Sequence, residues 1–232
     1  KENLPVEVEH IVYNAGLSWN MLERHRAEAS NQVDVLYAYW GRDYSKSIKH
    51  PPRAYDALMD WSEQTRLNAK EMTVLEYYSD HFMLSELFPP LCNRLQEDHV
   101  LYEQAGIDGL LNLIVPLHIK PEDREMLENY PWEWIQQLNN YFYAGLSWGK
   151  DYRLLKEQFL LTIDNQPEEY WLILEELETI LVKHTRWNSE LFPARVVDPE
   201  KVSDTKETRA ILCFLEELIV YLDKHSLLKE KT

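Results

Sequence analysis

The chain has 232 residues, 45% of them apolar and 12% aromatic, with eight Trp and fourteen Tyr, so it has ample material for a packed core and is not a disordered polymer. Its formal net charge of -16 repels phosphate backbones, and no basic stretch denser than Arg42 to Arg53 offsets it, which argues against nucleic-acid binding. Only two cysteines, Cys92 and Cys213, are present, and no run of ~18 apolar residues could span a bilayer. These features predict a cytoplasmic, reduced protein without a disulfide framework or transmembrane segment. The chain opens on Lys rather than Met, as expected either of a trimmed chain or of a domain from a longer protein.

With six glycines and few β-branched runs, the elements read as helical throughout. Pro5 to Ala29 has proline in the first turn and apolar residues on every side, as a buried helix would. Asn31 to Ile48 reads as a shorter helix with Val35, Leu36, Tyr39 and Trp40 inward, and His50-Pro51-Pro52 ends it. Arg53 to Phe88 continues the helical pattern, with Thr65, Asn68 and Ser79 interrupting its apolar face. Pro89-Pro90 stops it, Leu91 to Gln104 forms another helix, and Asp108 to Ile119 is a short apolar helix containing Pro116. Pro121-Glu122-Asp123 is a helix start of the expected chemistry, with proline first and acids in the opening turn.

Trp132 to Asp164 is the expected hub. Trp134, Leu138, Tyr141, Gly145, Trp148, Tyr152, Leu155 and Phe159 alternate in steps of four and three, an unbroken apolar seam for one long helix. Helices from Pro167 to Phe192 and from Lys206 to Leu228 follow, separated by a polar connector. The expected fold is therefore all-α: a bundle of about eight helices in long antiparallel hairpins, forming one domain over residues 1–232.

Three strings recur. Ala15-Gly16-Leu17-Ser18-Trp19 reappears at Ala144 to Trp148, and Ser85-Glu86-Leu87-Phe88-Pro89 at Ser189 to Pro193. Trp40-Gly41-Arg42-Asp43-Tyr44 is matched closely by Trp148 to Tyr152. They predict pseudo-repeats 1–105 and 131–229, joined by short helices over 106–130 and related by an approximate two-fold axis. Gly16 with Trp19 and Gly145 with Trp148 would then mark close helix crossings, although the offsets between the pairs disagree and the small residues could instead admit a bulky neighbour.

Histidines and carboxylates form the only reactive set in view. Helical di-metal sites use Glu-x-x-His motifs, and Glu7-Val8-Glu9-His10 is the single example here. His81 and His184 each precede a Ser-Glu-Leu-Phe-Pro stop, which makes Glu86 and Glu190 their candidate partners. The resulting metal set is Glu7, His10, His81, Glu86, His184 and Glu190, suited to iron or manganese. His99 with Glu103 has a helical offset that converges on one ion, and Arg94 to His99 has the arginine-to-histidine spacing of HEPN-type helical ribonucleases. A hydrogen-bonded core histidine is the commoner explanation for each. No phosphate-binding glycine loop, serine elbow or Cys–His pair is present.

Two functional expectations follow. The first is a non-catalytic helical module, without cofactor, that binds a protein partner through a groove walled by Trp132 and Trp134. The second is a His–carboxylate metal-binding oxidoreductase of ferritin-like or hemerythrin-like design. Nothing in the sequence fixes an oligomeric state.

Overall fold

A computed structural model describes residues 9–13, 29–40, 42–50, 52–80, 89–114, 133–163 and 167–182, together with Arg209, Cys213, Glu216 and Val220; of Tyr13, Arg53, Glu133 and Trp134 it describes the backbone alone. The described residues form four strands and five helices, in the order β1 (Glu9–Tyr13), β2 (Asp34–Ala38), α1 (Pro52–Leu67), β3 (Met72–Ser79), α2 (Cys92–Gln104), β4 (Gly109–Ile114), α3 (Glu133–Ser147), α4 (Tyr152–Leu160) and α5 (Pro167–Leu181). The strands form one sheet in the order β1-β2-β3-β4, and every pair is parallel. This sequential order is that of neighbouring strands in a β/α barrel, here over four strands. The expected all-α bundle of eight helices is thus wrong, and the fold is mixed α/β.

The strands escape a helical reading for a physical reason. These parallel strands carry apolar residues on both faces, so they lack the polar alternation that marks a half-exposed strand. Each is also short, five to eight residues, and within such a window an apolar run fits either period. The second obstacle lies between α1 and β3. The helix ends in a left-handed residue, Ala69 at φ 51°, with Lys70 N–H bonded to Thr65 O at 3.1 Å and Ala69 N–H to Arg66 O at 3.0 Å. Glycine or asparagine normally fills that position. Here alanine does, so the helix stop leaves no mark in the sequence.

Aspartates at the strand starts set the register. Asp34 Oδ1 accepts the Glu71 N–H at 3.0 Å, and Asp108 Oδ2 accepts the Met72 N–H at 2.8 Å. The register then places His10, Val12, Val35, Tyr37, Met72 and Val74 on one face, where Val12, Val35, Tyr37, Met72 and Val74 pack with Leu58 and Trp61 of α1 and Tyr102 of α2. A second core lies where β3 meets α2, α3, α4 and α5, built on Tyr78, Leu95, Phe142, Leu155 and Trp171. On the opposite sheet face the register lines up Ile11 with Leu36 and Thr73, and Ala38 with Leu75 and Leu111; Ile11 is 63% exposed and Leu111 48%.

The expected central rod is two helices. α3 stops at Ser147 because Gly149 takes φ +73°, Lys150 N–H reaches Gly145 O at 2.9 Å, and Gly149 N–H reaches Leu146 O at 2.9 Å. Asp151 then caps α4, its Oδ1 accepting the N–H groups of Arg153 at 2.8 Å and Leu154 at 3.2 Å. Trp148 falls at this corner and is 87% exposed, not part of a buried seam. Gly145 does mark a close approach, but by a bulky neighbour: a Cβ there would stand 2.5 Å from Leu155 Cδ2. Helical structure is confirmed over Leu91 to Gln104, in all but its first residue, and over the described part of the stretch from Pro167. Gly16, Trp19 and the strings Ala15 to Trp19 and Ser189 to Pro193 lie outside the described residues, so the repeat has no structural counterpart to compare. Trp40 and Trp148, which begin the third pair of strings, occupy different settings: Trp40 follows a strand and is buried.

Candidate functional site

The densest polar chemistry among the described residues collects at the carboxyl half of β3. Arg42, on the connection from β2 to α1, is buried with no side-chain exposure between two buried carboxylates. Its Nη1 pairs with Glu76 of β3, and its Nη2 bonds Asp98 Oδ2 of α2 at 2.7 Å. Tyr44 stacks under the guanidinium at 4.7 Å from its ring centre. Tyrosine hydroxyls saturate the acids: Tyr44 and Tyr102 donate to Glu76, the former at 2.9 Å, and Tyr78 donates to Asp98 at 3.0 Å. Two atoms are left without a hydrogen-bond partner, Arg42 Nε and Asp98 Oδ1, the latter 3.8 Å from Arg94 Nη1.

One arginine thus faces two acids in a dry site. Burial pushes the Asp98 carboxyl up to about 6 against the pull of Arg42, with Glu76 adding to the rise. Burial alone would lower Arg42, but Asp98 and Glu76 more than reverse it and hold the guanidinium charged. Burial likewise keeps Tyr44, Tyr78 and Tyr102 protonated. No solvent reaches these groups. The clamp's effect is mechanical: it ties the 42–50 segment to β3 and α2, and Trp40, just before it, packs edge-on to Tyr77 with ring centres 4.7 Å apart.

Above the clamp the sheet ends in a second polar group. The register of β3 against β4 slips between Glu76 and Ser79: three residues of advance on β3 match two on β4, a bulge that re-aims Ser79. Ser79 Oγ donates to Asn140 Oδ1 of α3 at 2.7 Å. Asn112 Nδ2 of β4 donates to Ser79 Oγ at 2.9 Å and to Asn140 Oδ1 at 3.1 Å. Gln136 Nε2 donates to Ser79 O at 3.4 Å, and buried Asp80 follows directly. Asn112 Oδ1 is buried and has no hydrogen-bond partner. A neighbouring residue of α3, Asn139, fixes the segment before α2 by accepting from Leu91 N–H at 2.8 Å and donating to Pro89 O at 2.9 Å.

The serine is not activated. Its hydroxyl donates to an amide oxygen rather than to a base, which is not the arrangement of a nucleophile. The described Ser–His contact lies elsewhere: His99 Nδ1 meets Leu95 O at 2.7 Å and Nε2 meets Ser147 Oγ at 3.1 Å. Ser147 ends α3, where carbonyl groups gather, the wrong polarity for an oxyanion. That contact ties α2 to α3.

Of the residues expected to hold a metal, His10 alone is described. It stands on β1 with its ring 5.8 Å from the Trp61 ring, edge to face. Glu7, His81, Glu86, His184 and Glu190 lie outside the described residues, as do Trp132 and the side chain of Trp134. Among the described residues no three His, Cys, Asp or Glu side chains gather as a metal site. His99 and Glu103 share α2, but His99 spends its ring nitrogens on Leu95 and Ser147. Arg94 bonds Glu97 at 2.7 Å and Tyr44 O at 3.1 Å instead of meeting His99. Sequence reasoning missed Ser79, Asn112 and Asn140; Ser79 was visible only as a polar break in an apolar face. Compared with known protein families, curated proteins and solved structures, the chain matches none.

Proposed function

We propose that the protein binds a small, uncharged, hydroxyl-rich molecule at the carboxyl edge of its parallel sheet. Ligands of parallel β/α folds bind outside the carboxyl ends of the strands, where adjoining loops converge. The observation that carries the reading is the Ser79–Asn112–Asn140 group with its buried, unpartnered Asn112 Oδ1, an acceptor set at a strand bulge. Amides and hydroxyls read hydroxyl groups. The net charge of -16 disfavours phosphorylated compounds and nucleic acid at the same edge.

Calorimetric titration with neutral mono- and disaccharides tests this. The reading expects saturable binding by at least one of them, weakened roughly tenfold or more by Asn112→Ala, the range for losing a buried hydrogen bond. Binding confined to anionic compounds, or affinity untouched by Asn112→Ala, would reject it.

A protein partner remains the second reading, on one observation. Trp148, Leu154 and Leu161 are 87%, 45% and 86% exposed along the α3–α4 corner and α4, an apolar surface of the kind that marks contacts. No described helix is long and apolar enough to cross a membrane. Cys92 and Cys213 are both free thiols, which supports a reducing, cytoplasmic setting.

A further inference from the structure

The apolar surface at the α3–α4 corner begins in a small basic island. Trp148, 87% exposed, stands beside Lys150 and Arg153, both exposed as well. The ion pairs among the described residues use Arg42, Lys46 and Arg94, and take up neither of these cations. Asp151 lies between them in sequence, but its carboxylate accepts the amides that open α4. In a chain of net charge -16 this corner is a local exception.

The next helix supplies the complement. α5 contains no lysine or arginine, and Glu168 and Glu169 in its first turn are exposed. Leu172, one turn on from Glu168, is 63% exposed. Two contacts fix α5 beside α4. Phe159, in the last turn of α4, meets buried Trp171 with ring centres 5.9 Å apart, and Lys156 Nζ lies 4.8 Å from the same ring system. Glu178 holds α5 from the other side, its Oε1 accepting the Arg94 N–H at 2.9 Å and its Oε2 the Asn93 N–H at 3.2 Å at the start of α2. α4 is nine residues long, about 13 Å. The basic island and the acidic first turn of α5 therefore lie toward opposite ends of α4. Each end has exposed apolar residues: Trp148 at the first, Leu161 and Leu172 at the second.

We propose that this surface is the contact between two copies of the chain, related by a two-fold axis across α4. It rests on a protein partner at the Trp148 surface, the second reading of function, and names that partner. A two-fold interface must match itself. Turned about the axis, the Trp148–Lys150–Arg153 end of one copy covers the Glu168–Glu169–Leu172 end of the other, and symmetry repeats the contact. Cations meet acids and apolar residues meet apolar residues at both ends. Net charge does not prevent the pairing, because at physiological salt repulsion is screened beyond about 8 Å and the groups in contact decide. Glu157, exposed and midway along α4, falls near the axis and is unmatched there.

Sedimentation velocity of the whole chain over a range of concentrations, with hydroxyl-radical footprinting of Trp148, tests this. The native chain should pass reversibly from monomer to dimer as concentration rises, and Trp148 should become several-fold less reactive as it does. Reversing one end, with Lys150→Glu and Arg153→Glu together, should leave monomer. Reversing the other, with Glu168→Lys and Glu169→Lys together, should do the same. An equimolar mixture of the two variants should recover the dimer, since each then meets its opposite charge, and that recovery shows both to be folded. A native chain that stays monomeric at every concentration would overturn the second copy as occupant while leaving the wider reading of a protein contact. A dimer that survives both reversals, or a mixture that stays monomeric, would overturn the pairing of the two ends. A dimer in which Trp148 stays as reactive as in the monomer would overturn the surface, and the wider reading with it.

Discussion

At the scale of single residues, the clamp around Arg42 sets the clearest expectations. Removing one member of a buried charge group leaves its partners uncompensated, which costs about 3–5 kcal/mol. Arg42→Met, which strands both Glu76 and Asp98, should lower unfolding free energy by about that much in a denaturant titration. Asp98→Asn should behave differently, because it removes the acid in excess. Asp98 is held near 6 in the fold, above its usual 3.8, so the folded state binds more protons between those values. Its contribution is present below about pH 4 and lost as pH rises through about 6. The stability of the native chain relative to Asp98→Asn should therefore fall across that window and level off above it. Equal slopes in the two proteins would show that Asp98 is ionised throughout. None of this was legible beforehand. Arg42 reads as part of a short basic stretch, and its partners lie 34 and 56 residues away, beyond any local pattern.

Elements were legible in proportion to the local chemistry that marks their ends. Leu91 to Gln104 was recovered because Pro89-Pro90 and Gly106 bracket it, Gly106 taking φ +70° while Ile107 N–H reaches Tyr102 O at 3.1 Å. The break between α3 and α4 was also written in the sequence, as Gly149-Lys150-Asp151, a left-handed stop followed by a cap. The four-three spacing of apolar residues ran straight through it, and following that spacing alone produced one rod. Tyr141 and Trp148 kept the period yet stand 37% and 87% exposed. The strands were hidden more deeply, since apolar residues on both faces erased their alternation and Ala69 disguised the end of α1. Gly145 carries a testable claim at this scale. Alanine there would place a methyl 2.5 Å from Leu155 Cδ2, inside a fully buried side chain, although alanine is the better helix former by about 1 kcal/mol. Overpacking should win: Gly145→Ala is expected to cost about 1–3 kcal/mol in thermal or denaturant unfolding. Adding Leu155→Ala should then cost less than it does in the native background. Additive losses would mean that the two helices do not meet as described.

Over the whole molecule, one arrangement links these observations. A sequential parallel sheet packs α1 and α2 against one face and delivers the carboxyl ends of its strands to a common edge. The Arg42 clamp fixes the segment that follows β2 at that edge, and Asn112 and Asn140 fix the bulge that ends β3. Glu178 seats α5 against the start of α2. Acidity distributed over the chain keeps anions away, while the edge itself offers amides and hydroxyls. The most direct measurement is a backbone amide shift map of the protein titrated with the neutral saccharide that binds best in calorimetry. The account predicts that the largest shifts fall on Ser79, Asp80, Asn112 and Asn140, with the exposed Trp148 corner unmoved. Shifts centred on Trp148, Leu154 and Leu161, with the strand ends silent, would contradict it.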